Sequence, residues 1–350
     1  MRKVRLGDIA RKSGFSLSTI SLALNNKPGV SSETRERVFA IAEELGYTLR
    51  PGMAEEACSP LTTVGMVLKL DSDTSPQANP FYSRVMMGIE DACRRQGIQL
   101  LFATMPVDEN NQPGELPSLL LNSDLDGLLM VGVCVHGTMF ARSAAKDLPV
   151  VLVDGYSLDA AYDAVVSDNF RAAYQAVQYL IDRGHRYIGL AGSEEICFPS
   201  LKERRNGYFR ALKENDISST YTANFNIIQS KGYQETTRLL QEHPEITALF
   251  CVNDDVASYA LRAAQGLGRR VPEDLSIIGY DDTVIALHTN PALTTMHVDA
   301  VAMGRAAVQL LALRISNPEC ACMTVTIHPT LVERESVSVP HALPEKLRTV

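Results

Sequence analysis

The absences in this sequence bound it first. No run of apolar residues approaches the roughly 18 that a helix needs to cross a bilayer, so a helix-spanning membrane protein and a membrane partner are excluded. The opening residues Met1-Arg2-Lys3-Val4-Arg5 contain no apolar leader core, and a soluble, cytoplasmic protein is expected. The seven cysteines form no ladder of pairs. Their odd count, and their placement in apolar runs such as 128–135, indicate reduced thiols rather than a disulfide scaffold. Cys320 and Cys322 make one C-x-C without a second pair, and His328 does not complete a zinc spacing, so no metal site is expected. Gly-x-Ser-x-Gly and Cys/His nucleophile patterns are missing, and Gly189 to Gly192 lacks the spacing of a dinucleotide loop. No catalytic residue, no cofactor and no enzyme activity are therefore expected. Residues 339–350 carry prolines and no heptads, which argues against a coiled-coil tetramer.

What is present is globular. The 350 residues are 45% hydrophobic and 21% charged, enough for two or three folded units. The net charge of −8 is unevenly spread. Residues 1–50 hold nine Lys or Arg against five Asp or Glu, a balance of +4 that leaves −12 on the remainder. A basic head on an acidic body fits a protein that touches nucleic acid at one end.

The head reads as three short helices. The first, Leu6–Ser13, is closed by Gly14, although Arg5 is a poor cap. The second runs Leu17–Leu24 behind Ser16, a good cap, with Ile20, Ala23 and Leu24 as its inner stripe. The third follows Val30-Ser31-Ser32, carries Glu33 in its first turn and spaces Val38, Ile41 and Leu45 by three and four before Gly46. Two short helices about a glycine turn make a helix-turn-helix, or a plain three-helix packing with no DNA role.

The residues Val4, Leu6, Asp8-Ile9-Ala10, Ser13-Gly14, Ser16 and Ser18-Thr19-Ile20-Ser21 resemble the lac repressor (LacI/GalR) family, as do Leu24–Lys27, Val30–Val38 and Glu44–Tyr47. The resemblance implies a transcriptional repressor that binds a palindromic double-stranded operator as a homodimer under the control of a small-molecule effector. It places Leu6, Ser16, Leu17, Ser18, Thr19, Ser21, Leu22, Asn25 and Val30 against DNA. Leu17, Ser18 and Leu22 would read bases, while Thr19, Ser21 and Asn25 hold phosphates. The family often has arginine where this chain has Leu22. A leucine cannot make a bidentate contact to guanine, so an A·T-tolerant half-site is expected.

Residues 48–60 depart from the family, whose members carry a short helix there with a leucine wedged into the minor groove. Here Glu56 takes that leucine's place beside Glu55, and a carboxylate is repelled by the phosphate-lined groove. Pro51 and Gly52 lower helix propensity. Met53 in a shifted register could serve as the wedge, or the segment is a plain linker. Weaker bending of DNA than is usual for the family is expected.

From residue 61 apolar runs alternate with amphipathic stretches. Expected strands are Val64–Leu68, Leu100–Ala103, Leu128–Val133, Val150–Val153, Ile188–Ala191, Leu249–Val252 and Ser276–Gly279, with helices over Phe81–Gln96, Asn169–Arg183 and Asn206–Glu214. Such alternation indicates an α/β fold of parallel sheets flanked by helices, in two lobes. Asn79–Tyr82, Asp168-Asn169, Gly184–Gly189, Arg204–Tyr208, Asn253-Asp254, Gly279–Asp282 and Pro291–Thr295 resemble the family's two-lobed, periplasmic-binding-protein-like core. The expected units are a head at 1–47, a hinge at 48–60, a core at 61–340 and a tail at 341–350. Lobe 1 would comprise about 61–165 and 296–326, and lobe 2 about 166–295 and 327–340. The resemblance implies an effector site of Phe81, Tyr82, Asp154, Arg204, Asn253 and Asp281. A planar donor fork, carboxylates and an aromatic cover suit a sugar. Ile227 stands where some relatives place a ring-stacking aromatic, which leaves a purine or another polar metabolite open. Asp168-Asn169 reads as a helix cap, and His185 and Asp282 as structural. Asp254, Asp255, Asp281 and Asp282 could instead form a metal or acid–base cluster. A binding protein with no DNA role is the other reading of the cleft.

Overall fold

The computed structural model describes residues 6–24, 30–45, 61–71, 79–108, 117–121, 124–135, 148–157, 159–192, 194, 198–227 and 231–340. The chain divides into two compact units, Met1–Pro60 and Leu61–Val350. The hinge residues Pro51 to Glu56 and the tail from 341 lie outside the described residues, and so does Asn25.

The first unit holds α1 (Leu6–Ser13), α2 (Leu17–Leu24) and α3 (Ser32–Glu44). Gly14 sits at φ 78°, where a side chain would be strained, and its N–H returns to the Ala10 carbonyl at 3.0 Å to close α1. Ser16 Oγ accepts from Thr19 N at 3.1 Å, and Ser31 Oγ accepts from Thr34 N at 3.2 Å, so hydroxyl caps start α2 and α3. Ile9, Ile20, Ala23, Leu24, Val38 and Ala42 bury a core of their own, with Phe15 and Val30 at its margin. Lys12 and Glu44 tie α1 to the end of α3 at 2.6 Å.

The second unit contains two six-stranded sheets. The first comprises β1 (Thr63–Asp71), β2 (Gln99–Val107), β3 (Gly127–Val131), β5 (Val150–Val153), β7 (Asp163–Ser167) and β13 (Thr324–Ile327), in the order β13-β7-β5-β3-β1-β2. All its pairs are parallel, with Val64 opposite Gly127 and Leu128 opposite Val150. β4 (Cys134–Val135) and β6 (Tyr156–Ser157) form a small pair beyond its carboxyl ends. The second comprises β8 (Ile188–Ala191), β9 (Tyr221–Ala223), β10 (Ala248–Cys251), β11 (Ser276–Asp281), β12 (Thr294–His297) and β14 (Thr330–Val332), in the order β14-β12-β11-β10-β8-β9. The pairs of this sheet are parallel as expected, apart from the edge strand β14, which runs antiparallel to β12. Only two residues separate β13 from β14, too few for the crossover helix that a parallel entry requires.

The helices of this unit are α4 (Pro80–Gln96), α5 (Asn169–Asp182), α6 (Pro199–Glu214), α7 (Gly232–Glu242), α8 (Asp254–Gly266), α9 (Val284–His288) and α10 (Ala300–Ser316). Asn79, Asp168, Asn253 and Asp299 cap four of them through side-chain oxygens, and Pro80 and Pro199 open two at a position that needs no N–H. Helices α4 and α10 cover the first sheet and touch backbone to backbone. A β-carbon on Gly88 would collide with the Val301 carbonyl, and one on Gly304 with the Val85 carbonyl. Helices α5 and α6 pack together on the second sheet, as do α7 and α8. The chain passes between the sheets after Ser167, after His297 and after Ile327. Helix α6 begins seven residues before its sequence estimate, at Pro199, because its first two turns are polar and show no apolar stripe.

Candidate functional site

In the head, Leu17 opens α2 and is 58% exposed. Thr19 and Leu22 are half-buried on the same helix, and the exposed Ser16 spends its hydroxyl on the Thr19 N–H and Oγ1. Val30 is half-buried against the head's core. Leu6, Ser18 and Ser21 lie on α1 and α2, where the backbone places them, and their side chains lie outside what is described.

In the body, a polar cluster forms where strands of both sheets end. Asp154 follows β5 and Asp281 ends β11, with φ at 46° and 94°. Non-glycine residues held in that region cost about 1–2 kcal/mol each, so packing fixes both carboxylates. Asp154 is buried; its Oδ2 accepts from Tyr82 Oη at 3.0 Å, and its Oδ1 is buried with no hydrogen-bond partner among the described residues. Burial raises its carboxyl to about 6, against the pull of Arg204 and the Tyr82 bond. Burial also raises Asp281, again opposed by Arg204.

Arg204, on α6, is the hub. Its Nε donates to Asn169 Oδ1 at 2.8 Å, Nη1 to the Val252 carbonyl at 2.6 Å and Nη2 to Asp281 Oδ1 at 3.2 Å. Its guanidinium carbon stands 3.6 Å from the centre of the Tyr280 ring. Burial works against this charge, but Asp281 and Asp154 outweigh it and keep the guanidinium protonated.

Residues that the sequence reading did not assign to the site complete it. Asn169 is fully buried and spans the lobes, donating to Tyr156 Oη at 3.3 Å while accepting from Arg204. Tyr280 Oη meets Ser167 Oγ at 3.3 Å. Tyr156 packs edge-on against Phe198, and the Lys69 ammonium lies 5.5 Å from the Phe198 ring and 5.7 Å from the Tyr82 ring. Phe81, which the resemblance does assign to the site, is buried edge-on against its neighbour Tyr82. No spacing in the chain signals these partners, because the contacts join elements tens of residues apart.

Other named residues have local employment. Asn253 Oδ1 caps α8 at Val256 N, 2.8 Å away. Asp168 caps α5, and His185 bridges Thr247 and the Ser338 carbonyl at 2.9 Å each. The four aspartates weighed as a cluster turn to different partners. Asp254 accepts from Thr295 and Thr283, and burial raises it to about 7; Asp282 accepts from His297 and Arg334; Asp281 faces Arg204; Asp255 is exposed. Arg84 on α4 reaches across the lobes to the Asp282 carbonyl at 3.1 Å. Ile227 packs at the margin of the hydrophobic core.

Comparison with known proteins agrees with this architecture. Residues 5–49 match the model of bacterial regulatory proteins of the lacI family, and residues 177–337 match that of the periplasmic binding protein-like domain. The chain is 32% identical over 333 residues to the ribose operon repressor of Haemophilus influenzae, covering 94% of this chain and 97% of that one. It is 30% identical over 335 residues to the HTH-type transcriptional repressor PurR of Aliivibrio salmonicida, at 94% and 98% coverage. The solved structure of a complex of the transcriptional regulator CelR with cellobiose matches with a TM-score of 0.65 and 26% identity, over 95% of this chain and 100% of that one. On both the sequence match and the shared fold, the chain belongs to the lacI family of bacterial regulatory proteins.

Proposed function

We propose that this protein is a homodimeric repressor of a palindromic operator, switched by a neutral sugar bound between the two lobes of its core. The observation that carries the reading is Asp154 Oδ1, a buried carboxylate oxygen with no hydrogen-bond partner among the described residues, in the field of an arginine already held from several sides. Such an oxygen costs free energy until a donor reaches it, and a ligand hydroxyl is a donor of the right kind. Relatives described as a ribose operon repressor and a regulator in complex with cellobiose support the sugar class. Exposed Leu17 at the start of α2 supports the DNA role, since the first residues of a recognition helix meet base edges.

Symmetric operators call for a symmetric protein. Arg84 binds the Asp282 carbonyl and so brings α4 of lobe 1 beside the loop that leads into α9 of lobe 2. Met87, one turn along α4, is 63% exposed, and Val284 and Leu287 on α9 are 55% and 59% exposed. These exposed apolar residues stand on elements of both lobes, and a second copy of the chain is their natural cover. Effector binding changes the posture of the lobes, hence the spacing of the two heads, through its unequal affinity for the two states.

Selection of duplexes from a random library, followed by titration of the winning operator with sugars and purines, tests the proposal. A palindrome released by a sugar supports it. A palindrome that responds only to purines corrects the effector class, and recovery of single half-sites refutes the dimer.

A further inference from the structure

Three of the five cysteines among the described residues are buried and two are exposed. Burial pushes the Cys93 thiol up to about 11 and raises Cys134 and Cys251 as well, so these behave as small hydrophobes. The exposed pair, Cys320 and Cys322, lies on the loop between α10 and β13.

That loop is tied down. Arg314, in the last turn of α10, donates to the carbonyls of Pro318, Cys320 and Ala321. The same guanidinium pairs with Asp163, the first residue of β7, at 2.6 and 3.1 Å. Met323 N adds a bond to that carboxylate at 2.8 Å. Cys322 Sγ meets the Ala161 carbonyl at 3.5 Å, and both sulfur atoms lie within the electrostatic reach of Arg314. Residues i and i+2 of a fully extended chain are roughly 6.6 Å apart and point the same way. That span lies at the upper end of the Cα separations, about 4.4–6.8 Å, that a disulfide bridges.

We propose that Cys320 and Cys322 are a reversible dithiol, closed to an intraloop disulfide by hydrogen peroxide. One thiolate attacks the peroxide, the O–O bond breaks, and a sulfenic acid forms as the departing hydroxide takes up a proton to leave as water. The second thiolate attacks that sulfur, the S–O bond breaks, the S–S bond forms, and a second water leaves. Two thiols are oxidised by two electrons and one peroxide is reduced. Ring closure displaces the Cys320 and Ala321 carbonyls that Arg314 holds. Because Arg314 also grips Asp163, and β13 runs directly into the crossing between Ile327 and Thr330, the oxidised loop acts on the lobe junction.

The test treats the reduced full-length protein with hydrogen peroxide, alkylates the remaining thiols and maps the peptides. The peptide carrying both residues is expected to lose two hydrogens, resist alkylation at both positions and regain both thiols with dithiothreitol. Cys320→Ser and Cys322→Ser, both at exposed positions, should fold and should each stop at a sulfenic acid that dimedone traps. Thiols that stay alkylatable, cross-links between chains, or oxidation past the sulfenic stage without an S–S bond would each overturn the dithiol. The thiol chemistry stands apart from the repressor reading; the effect on the lobes rests on it. Operator affinity should differ by about fivefold between reduced and oxidised protein and not at all in the variants. Equal affinities would overturn the coupling while leaving the disulfide standing.

Discussion

At the scale of single residues, the site is a set of charges fixed before any ligand arrives. Asp154 has a carboxyl raised to about 6 by burial. A ligand hydroxyl that donates to its ionised form stabilises that form, so effector affinity should rise as pH climbs through 6 and fall below it. Calorimetric titration at pH 5 and pH 7.5 checks the sign. The linkage to stability runs the other way. A carboxyl whose folded value is raised contributes stability that is full below its ordinary value of 3.8 and is lost as pH rises toward 6. Asp154→Asn should therefore unfold less readily than the parent near pH 7, gain little near pH 4, and bind effector at least tenfold more weakly at neutral pH. Arg204→Met leaves Asp281 and the Val252 carbonyl without their donor. Loss of one member of a buried pair costs about 3–5 kcal/mol, which a lowered Tm and a silent effector titration would register together.

At the scale of elements, close backbone approach and capping decide most of what holds. Gly88 and Gly304 let α4 and α10 cross in contact, and Gly88→Ala should cost about 1–3 kcal/mol by overpacking, read as an earlier denaturant midpoint with an unchanged slope. On α2, Leu22→Arg should move the selected half-site from A·T toward G·C; an unchanged sequence would refute the base-reading role. How much of this is legible without coordinates depends on the element. Central strands such as Val150–Val153 are unbroken β-branched and aliphatic runs, and they stand out. Thr324–Ile327 alternates polar with half-buried residues at a sheet edge, and Thr330–Val332 and Tyr221–Ala223 are three-residue edges, so none announces itself in the sequence. The head is legible because Gly14, Ser16 and Ser31 are local signals that act locally. The polar cluster is legible only in part. Family resemblance points to Tyr82, Asp154, Arg204 and Asp281, and the fold brings Tyr82 to Asp154 and Arg204 to Asp281. Asn169 and Tyr280 reveal themselves only through partners 35 and 113 residues away.

At the scale of the whole molecule, the exposed apolar residues of α4 and α9 make a prediction about assembly. Met87→Glu with Leu287→Glu should convert a dimer to a monomer in sedimentation, with half-site binding surviving and palindrome binding lost. The α/β architecture with its helical head follows from the alternation of runs and the caps of the first 45 residues, whereas the antiparallel return of β14 follows from a two-residue link that no hydrophobic pattern encodes. The guanidinium of Arg204 carries one more consequence. Each of its three nitrogens already donates, to Asn169, Val252 and Asp281, and its face lies on Tyr280. It is part of the masonry of the cleft, standing whether or not a guest is present. Descendants of this chain can therefore acquire a taste for a new ligand by altering the residues around Phe81 and Asn253, without disturbing the arginine that ties α5, α6, β11 and the end of β10 together.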